Sequence, residues 1–360
     1  MPAIGFIDEN TEVDPRVLGG KGAGLASLVA GGVRIPPAFV VTADGYRSAV
    51  TPDLRREVAE RLAGIPSGAS DAVLEARTAE LRALILEGTE GHPIASELRE
   101  ACEALRARTG EETLTVAVRS SAIDEDAPDK SFAGEHDTYL WVVGDEEVDR
   151  RVRECWASLV TARAVAYRRS GDVTAAATEL AMAVVVQQMA PARAAGVFMT
   201  LNPVNGDRSK VMIESVWGLG EPLVSGEANP DRFLIDKITG EIVRREISDK
   251  PTQAIRDLTS GRGVVIAEVE SERVASASLE REEIAELVRI ARLVERRAGA
   301  PQDCEFAVLD GSAPENVRLL QCRPETVWSQ KPRRATASGK TAMQAVLATL
   351  TQKGAPPPAA

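Results

Sequence analysis

Apolar residues along this chain change period in ways that separate helical from extended stretches. Between 53 and 108, Leu, Ala, Arg and Glu dominate in a helical pattern, interrupted at Gly64-Ile65-Pro66 and His92-Pro93. TLTVAVR (113–119) alternates, which predicts a strand. Val148, Val152, Cys155, Trp156 and Leu159 recur at helical spacing, so 145–170 is expected to be helical, with Trp156 in the core. Strands are expected at 181–189, 195–200, 210–216, 232–236 and 241–247, and Ile238-Thr239-Gly240 suits a hairpin turn between the last two. An amphipathic helix over 280–298 presents Ile284, Leu287, Val288, Ala291 and Val294, and a hairpin follows over 303–323. The first fifty residues read as a short strand, a glycine loop, a helix from Leu25, and a strand at 38–41. No internal repeat is visible.

The hairpin makes a geometric prediction. Alternate residues of a strand share a face. Asp303 and Glu305 therefore fall on one face, with Gln321 and Arg323 on the partner strand. If Glu305 stands across from Gln321, then Cys304 stands across from Cys322 on the opposite face, beside Phe306 and Leu320. The polar face offers hard oxygen donors beside a guanidinium, a set suited to Mg²⁺ on a polyphosphate. A merely solvated charged face is the competing expectation. The facing cysteines suit either a disulfide or two buried thiols, and a reducing compartment favours thiols.

LGGKGAGLASLV (18–29) concentrates Gly19, Gly20, Gly22 and Gly24 around Lys21, ahead of an apolar run. Backbone N–H groups and one ammonium can converge there on phosphate. The motif lacks the spacer and Ser/Thr of a P-loop, and a structural turn with a surface Lys fits it equally well.

Five further motifs follow in order: PPAFVVTADGYRSAV (36–50), VAVRSSAIDEDAPDKSFAGEHDTYLWV (116–142), VVVQQMAPARAAGVFMTLNP (184–203), ESVWGLGEPLVSG (214–226) and QDCEFAV…LLQCRPET (302–326). Together the six resemble the N-terminal nucleotide-binding domain of the phosphoenolpyruvate synthase and pyruvate phosphate dikinase family, over roughly residues 5–330. The resemblance implies an α+β, ATP-grasp-like, two-lobed fold with mixed or antiparallel sheets. The expected division is an N-terminal lobe at 1–175, a C-terminal lobe at 176–330, and a tail at 331–360 that is disordered or docks a partner.

It also implies the ligands, ATP and Mg²⁺. Lys21, Arg119 and Arg323 would neutralise phosphate charge. Ser131, Ala133 and Gly134 would belong to a lid loop, and Gln187 with the Met189 backbone would meet adenine. Glu305 and Gln321 would hold magnesium, while Glu214 would reach ribose or metal. Glu135 stands where the family often has Gln. Full-length relatives carry a swivelling phosphohistidine domain and an acceptor domain, and the Gly-rich carrier motif is absent from these residues. His92, in a surface-like setting, and His136, in the lid, are not expected to carry phosphate. ATP would donate its β-phosphate to a histidine of a separate phosphohistidine subunit, giving AMP and phosphate. Split enzymes of the phenylphosphate synthase or 4-cresol (4-methylbenzyl phosphate) synthase type suggest a phenolic small-molecule acceptor on that partner. A split phosphoenolpyruvate synthase or rifampin phosphotransferase, a fragment of a longer enzyme, and a non-catalytic ATP-binding module are the alternatives. The distinct tail favours a natural end.

Bulk properties trim these expectations little. A net charge of −11 without an offsetting basic block argues against nucleic acid as a partner. No run approaches the ~20 apolar residues of a membrane span, and the N-terminus lacks a leader pattern, so a cytoplasmic protein is expected. Four cysteines without CxxC spacing agree with that compartment.

Overall fold

A computed structural model describes residues 2–66, 68–123, 138–168 and 181–328. The chain divides into two compact units, Met1–Glu325 and Thr326–Ala360. The first holds every element below, and its mixture of helices and antiparallel sheets is the α+β, ATP-grasp-like fold expected.

Five strands make one sheet in the order β1-β2-β5-β3-β4: β1 Ile4–Phe6, β2 Ala38–Val41, β3 Thr115–Ala122, β4 Thr138–Val143 and β5 Met182–Gln188. Every pairing in it is antiparallel. The second sheet has six strands: β6 Ala194–Met199, β7 Lys210–Trp217, β8 Asp231–Asp236, β9 Ile242–Glu246, β12 Gln302–Val308 and β13 Val317–Pro324, ordered β13-β12-β6-β7-β8-β9. A two-stranded ribbon, β10 Thr252–Arg256 with β11 Val264–Glu268, stands apart. The expected strands and their order are present; this ribbon and β4 were not foreseen. Strand β5, assigned from sequence to the second lobe, is the middle strand of the first sheet, so the change of sheet falls after Gln188.

Helices α1 Pro15–Ala30, α2 Ala43–Ala49, α3 Pro52–Ala63, α4 Asp71–Gly88, α5 Ala95–Thr109, α6 Asp145–Ala157, α7 Ala162–Arg168 and α8 Arg281–Ala298 complete the outline. One apolar core joins α2 to α6 with one face of the first sheet and centres on Trp156, which is fully buried as expected. His92 departs from its surface-like reading. It is buried, its ring lies edge-on to Trp156 at 5.4 Å, and its Nε2 sits 2.7 Å from Asp149 Oδ1. A second core gathers α1, α8, the other face of the first sheet and one face of the second. Helix α8 is fixed at its start by a Glu280–Glu283 capping box and buries Ile284, Leu287, Val288, Ile290, Ala291 and Val294.

Helix α1 begins ten residues earlier than the glycine-loop reading expects. Asp14 caps it, its Oδ1 accepting from the Arg16 N–H at 2.9 Å, and Pro15 occupies the first turn. The glycines lie inside the helix, which kinks at Gly19 with φ 67° and ψ 176°. Among the described residues no helix is long and apolar enough to cross a membrane.

Candidate active site

Hairpin β12–β13 has the register that alternation predicts at Asp303 opposite Arg323, Cys304 opposite Cys322 and Glu305 opposite Gln321, but a bulge after Glu305 shifts it, so that Leu319, not the expected Leu320, stands opposite Phe306 in the core. On the inner face Cys304 is buried and its sulfur lies 2.8 Å from that of half-buried Cys322, both as thiols. Burial pushes the Cys304 thiol well above its ordinary pKa, and the Cys322 contact adds to the rise.

The outer face meets Arg119, which projects from β3 in the other sheet. Its guanidinium donates to Leu320 O at 2.9 Å, to Gln321 Oε1 at 2.6 Å and to Glu305 Oε2 at 3.3 Å. One forked cation thus gathers both expected magnesium ligands and ties the two sheets together. Arg323, two residues along from Gln321, is held by Asp303, whose Oδ2 accepts from Nε at 3.0 Å and from an Nη at 2.8 Å. Burial pushes the Asp303 carboxyl above its ordinary pKa, the Arg323 charge and hydrogen bond pull it back, and Glu305 adds to the rise.

The strand registers extend this face across the sheet. Gln321, Glu305, Val197, Glu214, Arg232 and Glu246 stand in one transverse row, each the partner of the next. Paired residues point to the same side, so Glu214 shares the face of Glu305 at two strand spacings, about 10 Å. Its Oε1 accepts from Arg232 Nε at 2.6 Å.

Lys21 is half-buried between buried Gly20 and Gly22 on α1. Helix and strand are locked together two residues beyond Arg119: Ser121 Oγ donates to Leu18 O at 2.9 Å and accepts from Gly22 N–H at 3.1 Å. Gln187 lies on the same face of the first sheet as Arg119, but it is buried and its amide donates to Pro36 O at 3.4 Å. Met189 packs with Ala117, Trp141, Leu219 and Ala254 beyond the end of β5. Its N–H is taken by Thr115 O at 2.8 Å. Ser131, Ala133, Gly134, Glu135 and His136 lie outside the described residues. A cavity of about 410 Å³ lines the inner face instead, against Gly20, Gly24, Ser27, Gln302 and Cys322, and touches none of Arg119, Glu305 and Arg323.

The donor chemistry fits magnesium in one specific way. Among the described residues no group of three or more His, Cys, Asp and Glu surrounds a metal position. A carboxylate and an amide oxygen side by side, already aimed by Arg119, suit a cation that takes its remaining ligands from polyphosphate and water.

Residues 15–344 match the pyruvate phosphate dikinase AMP/ATP-binding domain. The chain belongs to this family. It is therefore an AMP/ATP-binding domain of a family of dikinase-type phosphotransferases. It is similar to the probable phosphoenolpyruvate synthase of Staphylothermus marinus, 36% identical over 94% of this chain and 43% of that protein. The phosphoenolpyruvate synthase of Aeropyrum pernix is 39% identical over 92% of this chain and 43% of its own length. The prodigiosin synthesizing transferase PigC of Serratia marcescens is 40% identical over 88% of this chain and 32% of its own. The chain thus spans less than half the length of these relatives. The family match runs to 344, fourteen residues beyond the limit set from sequence.

Two residues that position the site escaped sequence reasoning. The alternation placed Asp303 on the polar face without revealing that it aims Arg323. Ser121 carried no signal beyond its place in an Arg-Ser-Ser run, because its partners lie 99 and 103 residues away.

Proposed function

We propose that this chain is the ATP-binding part of a dikinase-type phosphotransferase whose carrier histidine lies on a separate subunit. The observation behind this reading is the cluster in which Arg119 gathers Glu305 and Gln321 while Asp303 aims Arg323 beside them. Phosphoryl transfer asks a protein chiefly for positioning and charge neutralisation. Arg119, Arg323 and Lys21 would neutralise charge on the β- and γ-phosphates. Glu305 and Gln321 would hold Mg²⁺, which when bound draws charge from the phosphate oxygens. The carrier histidine's nitrogen attacks the β-phosphorus, the bond from that phosphorus to the α,β-bridging oxygen breaks, and AMP leaves. Water then attacks the γ-phosphorus, whose bond to the β,γ-bridging oxygen breaks, so that inorganic phosphate leaves and the β-phosphoryl group stays on the histidine. His92 is a poor carrier, being buried against Trp156 with Nε2 engaged by Asp149.

The phosphorylated histidine would then serve a phenolic acceptor such as phenol or 4-cresol, bound on the partner. A second reading, the ATP-binding part of a phosphoenolpyruvate synthase, draws support from the names of the Staphylothermus and Aeropyrum relatives and uses the same site. Incubating the chain with Mg²⁺ and ATP labelled at the β-phosphate, with and without lysate of its host, tests both. The expected result is AMP and an acid-labile label on another polypeptide, discharged by phenols. Discharge by pyruvate selects the second reading. Absence of both AMP and label in the presence of lysate rejects the dikinase assignment.

A further inference from the structure

We infer that Ser121 is a positioning residue for Lys21, its hydroxyl substituting for a missing rung of helix α1. The inference rests on the reading of Lys21 as a phosphate-binding residue. A helical hydrogen bond from Gly22 N–H to Leu18 C=O requires helical torsions at residues 19, 20 and 21. Gly19, at φ 67° and ψ 176°, does not supply them. The two groups that this rung would join are those that Ser121 Oγ meets, donating to Leu18 O at 2.9 Å and accepting from Gly22 N–H at 3.1 Å. A side chain inserted into the helical ladder is an established cause of a sharp kink. Here it comes from a strand of another part of the chain and is fully buried.

The fit leaves no slack. A Cβ at Gly19 would stand 2.0 Å from Ser121 O and 2.3 Å from its Oγ. Gly19, Gly20 and Lys21 are the three residues spanned by the hydroxyl, so the direction in which Lys21 leaves the helix is set by where Ser121 grips. Ser121 is also two residues from Arg119 on β3, on the same face. One hydroxyl therefore registers the ammonium against the guanidinium.

A double-mutant cycle tests this through the affinity for Mg-ATP, measured by calorimetry on the full chain. Ser121→Ala and Ser121→Cys should each weaken binding about tenfold, the size expected for losing a buried hydrogen-bonded pair. Ser121→Cys puts a larger sulfur, only a weak donor and acceptor, where the hydroxyl stood, and carries the comparison if the alanine variant does not fold. In the Lys21→Ala background the same changes should alter affinity less than twofold, since the residue they act through is gone. An equal loss in both backgrounds would show that Ser121 acts through Arg119 or the fold, and would overturn the inference. So would a Ser121→Cys protein that binds like the parent. Parent protein that binds Mg-ATP no better than Lys21→Ala would instead remove the phosphate-site reading of Lys21.

Discussion

A single guanidinium carries most of the site's organisation. Arg119 is largely buried and donates to three acceptors on one short stretch of β13 and its neighbour: Leu320 O, Gln321 Oε1 and Glu305 Oε2. Lysine would keep the charge but offers a compact ammonium in place of a planar fork. Arg119→Lys is therefore expected to weaken Mg-ATP binding about tenfold and Arg119→Ala about a hundredfold, equivalent to about 1.4 and 2.7 kcal/mol. Calorimetric titration checks this, and a lysine variant that binds like the parent would mean that charge alone suffices. Asp149 makes a prediction in acid. Burial acts to raise its pKa, but the hydrogen bond and charge of His92 and those of Arg153 prevail, and the net shift is downward from 3.8. A depressed carboxyl stabilises the fold above its unfolded pKa and loses that contribution as pH falls through the folded one. The melting temperature of the parent should exceed that of Asp149→Asn at pH 6, and the gap should close below about pH 4, near the ordinary aspartate pKa. A gap that stays constant to pH 3 would show that Asp149 contributes through packing alone.

Elements differ in how much of themselves they write into local sequence. Hairpin β12–β13 was legible from Asp303 to Glu305, because alternation, two cysteines and two pairs of polar residues specify one register there, but the bulge beyond Glu305 left no local signal and exchanged Leu320 for Leu319 on the core face. Helix α8 was legible because its apolar stripe is long and its start is capped. Ribbon β10–β11 was not, since Val265 and Ile266 remain exposed and no buried face imposes a clear period. Helix α1 misled for a different reason. Four glycines in six residues look like a loop, yet at two of them the spare volume is used by a distant neighbour: at Gly19 by Ser121, at Gly24 by Cys322 O, 2.8 Å from where a Cβ would stand. Burial of His92 was hidden likewise, its partner lying 57 residues away. These contacts separate glycines that the fold requires from those it tolerates. Gly19→Ala places a Cβ in a backbone region that is essentially reserved for glycine and against a carbonyl, so a loss of about 3 kcal/mol or more is expected. Gly64, at φ −72° with its nearest neighbour 3.4 Å from an added Cβ, has neither problem. Gly64→Ala should be neutral or stabilising by about 0.5 kcal/mol. Urea titrations rank the two, and equal stabilities would mean that the kink in α1 is not needed for folding.

At the scale of the whole molecule, the second core and the polar cluster both join the two sheets. Arg119 comes from the first sheet, Glu305, Gln321 and Arg323 from the second, and Lys21 from the helix packed between them. Any ligand that engages this set touches both sheets and the helix between them at once. Nucleotide binding should then stabilise the unit as one body. At a free Mg-ATP concentration a hundred times the dissociation constant, linkage adds about 2.7 kcal/mol, enough to raise the melting temperature by several degrees. Differential scanning calorimetry should show a single main transition moving upward with nucleotide in the parent, and much less movement in Arg119→Ala or Lys21→Ala at the same concentration. Two transitions, with only one of them shifted by Mg-ATP, would place the nucleotide on one sheet and contradict a site built by both. A shift of equal size in the parent and in Arg119→Ala would move the nucleotide away from the cluster altogether, because a ligand's stabilisation is lost wherever its affinity is lost.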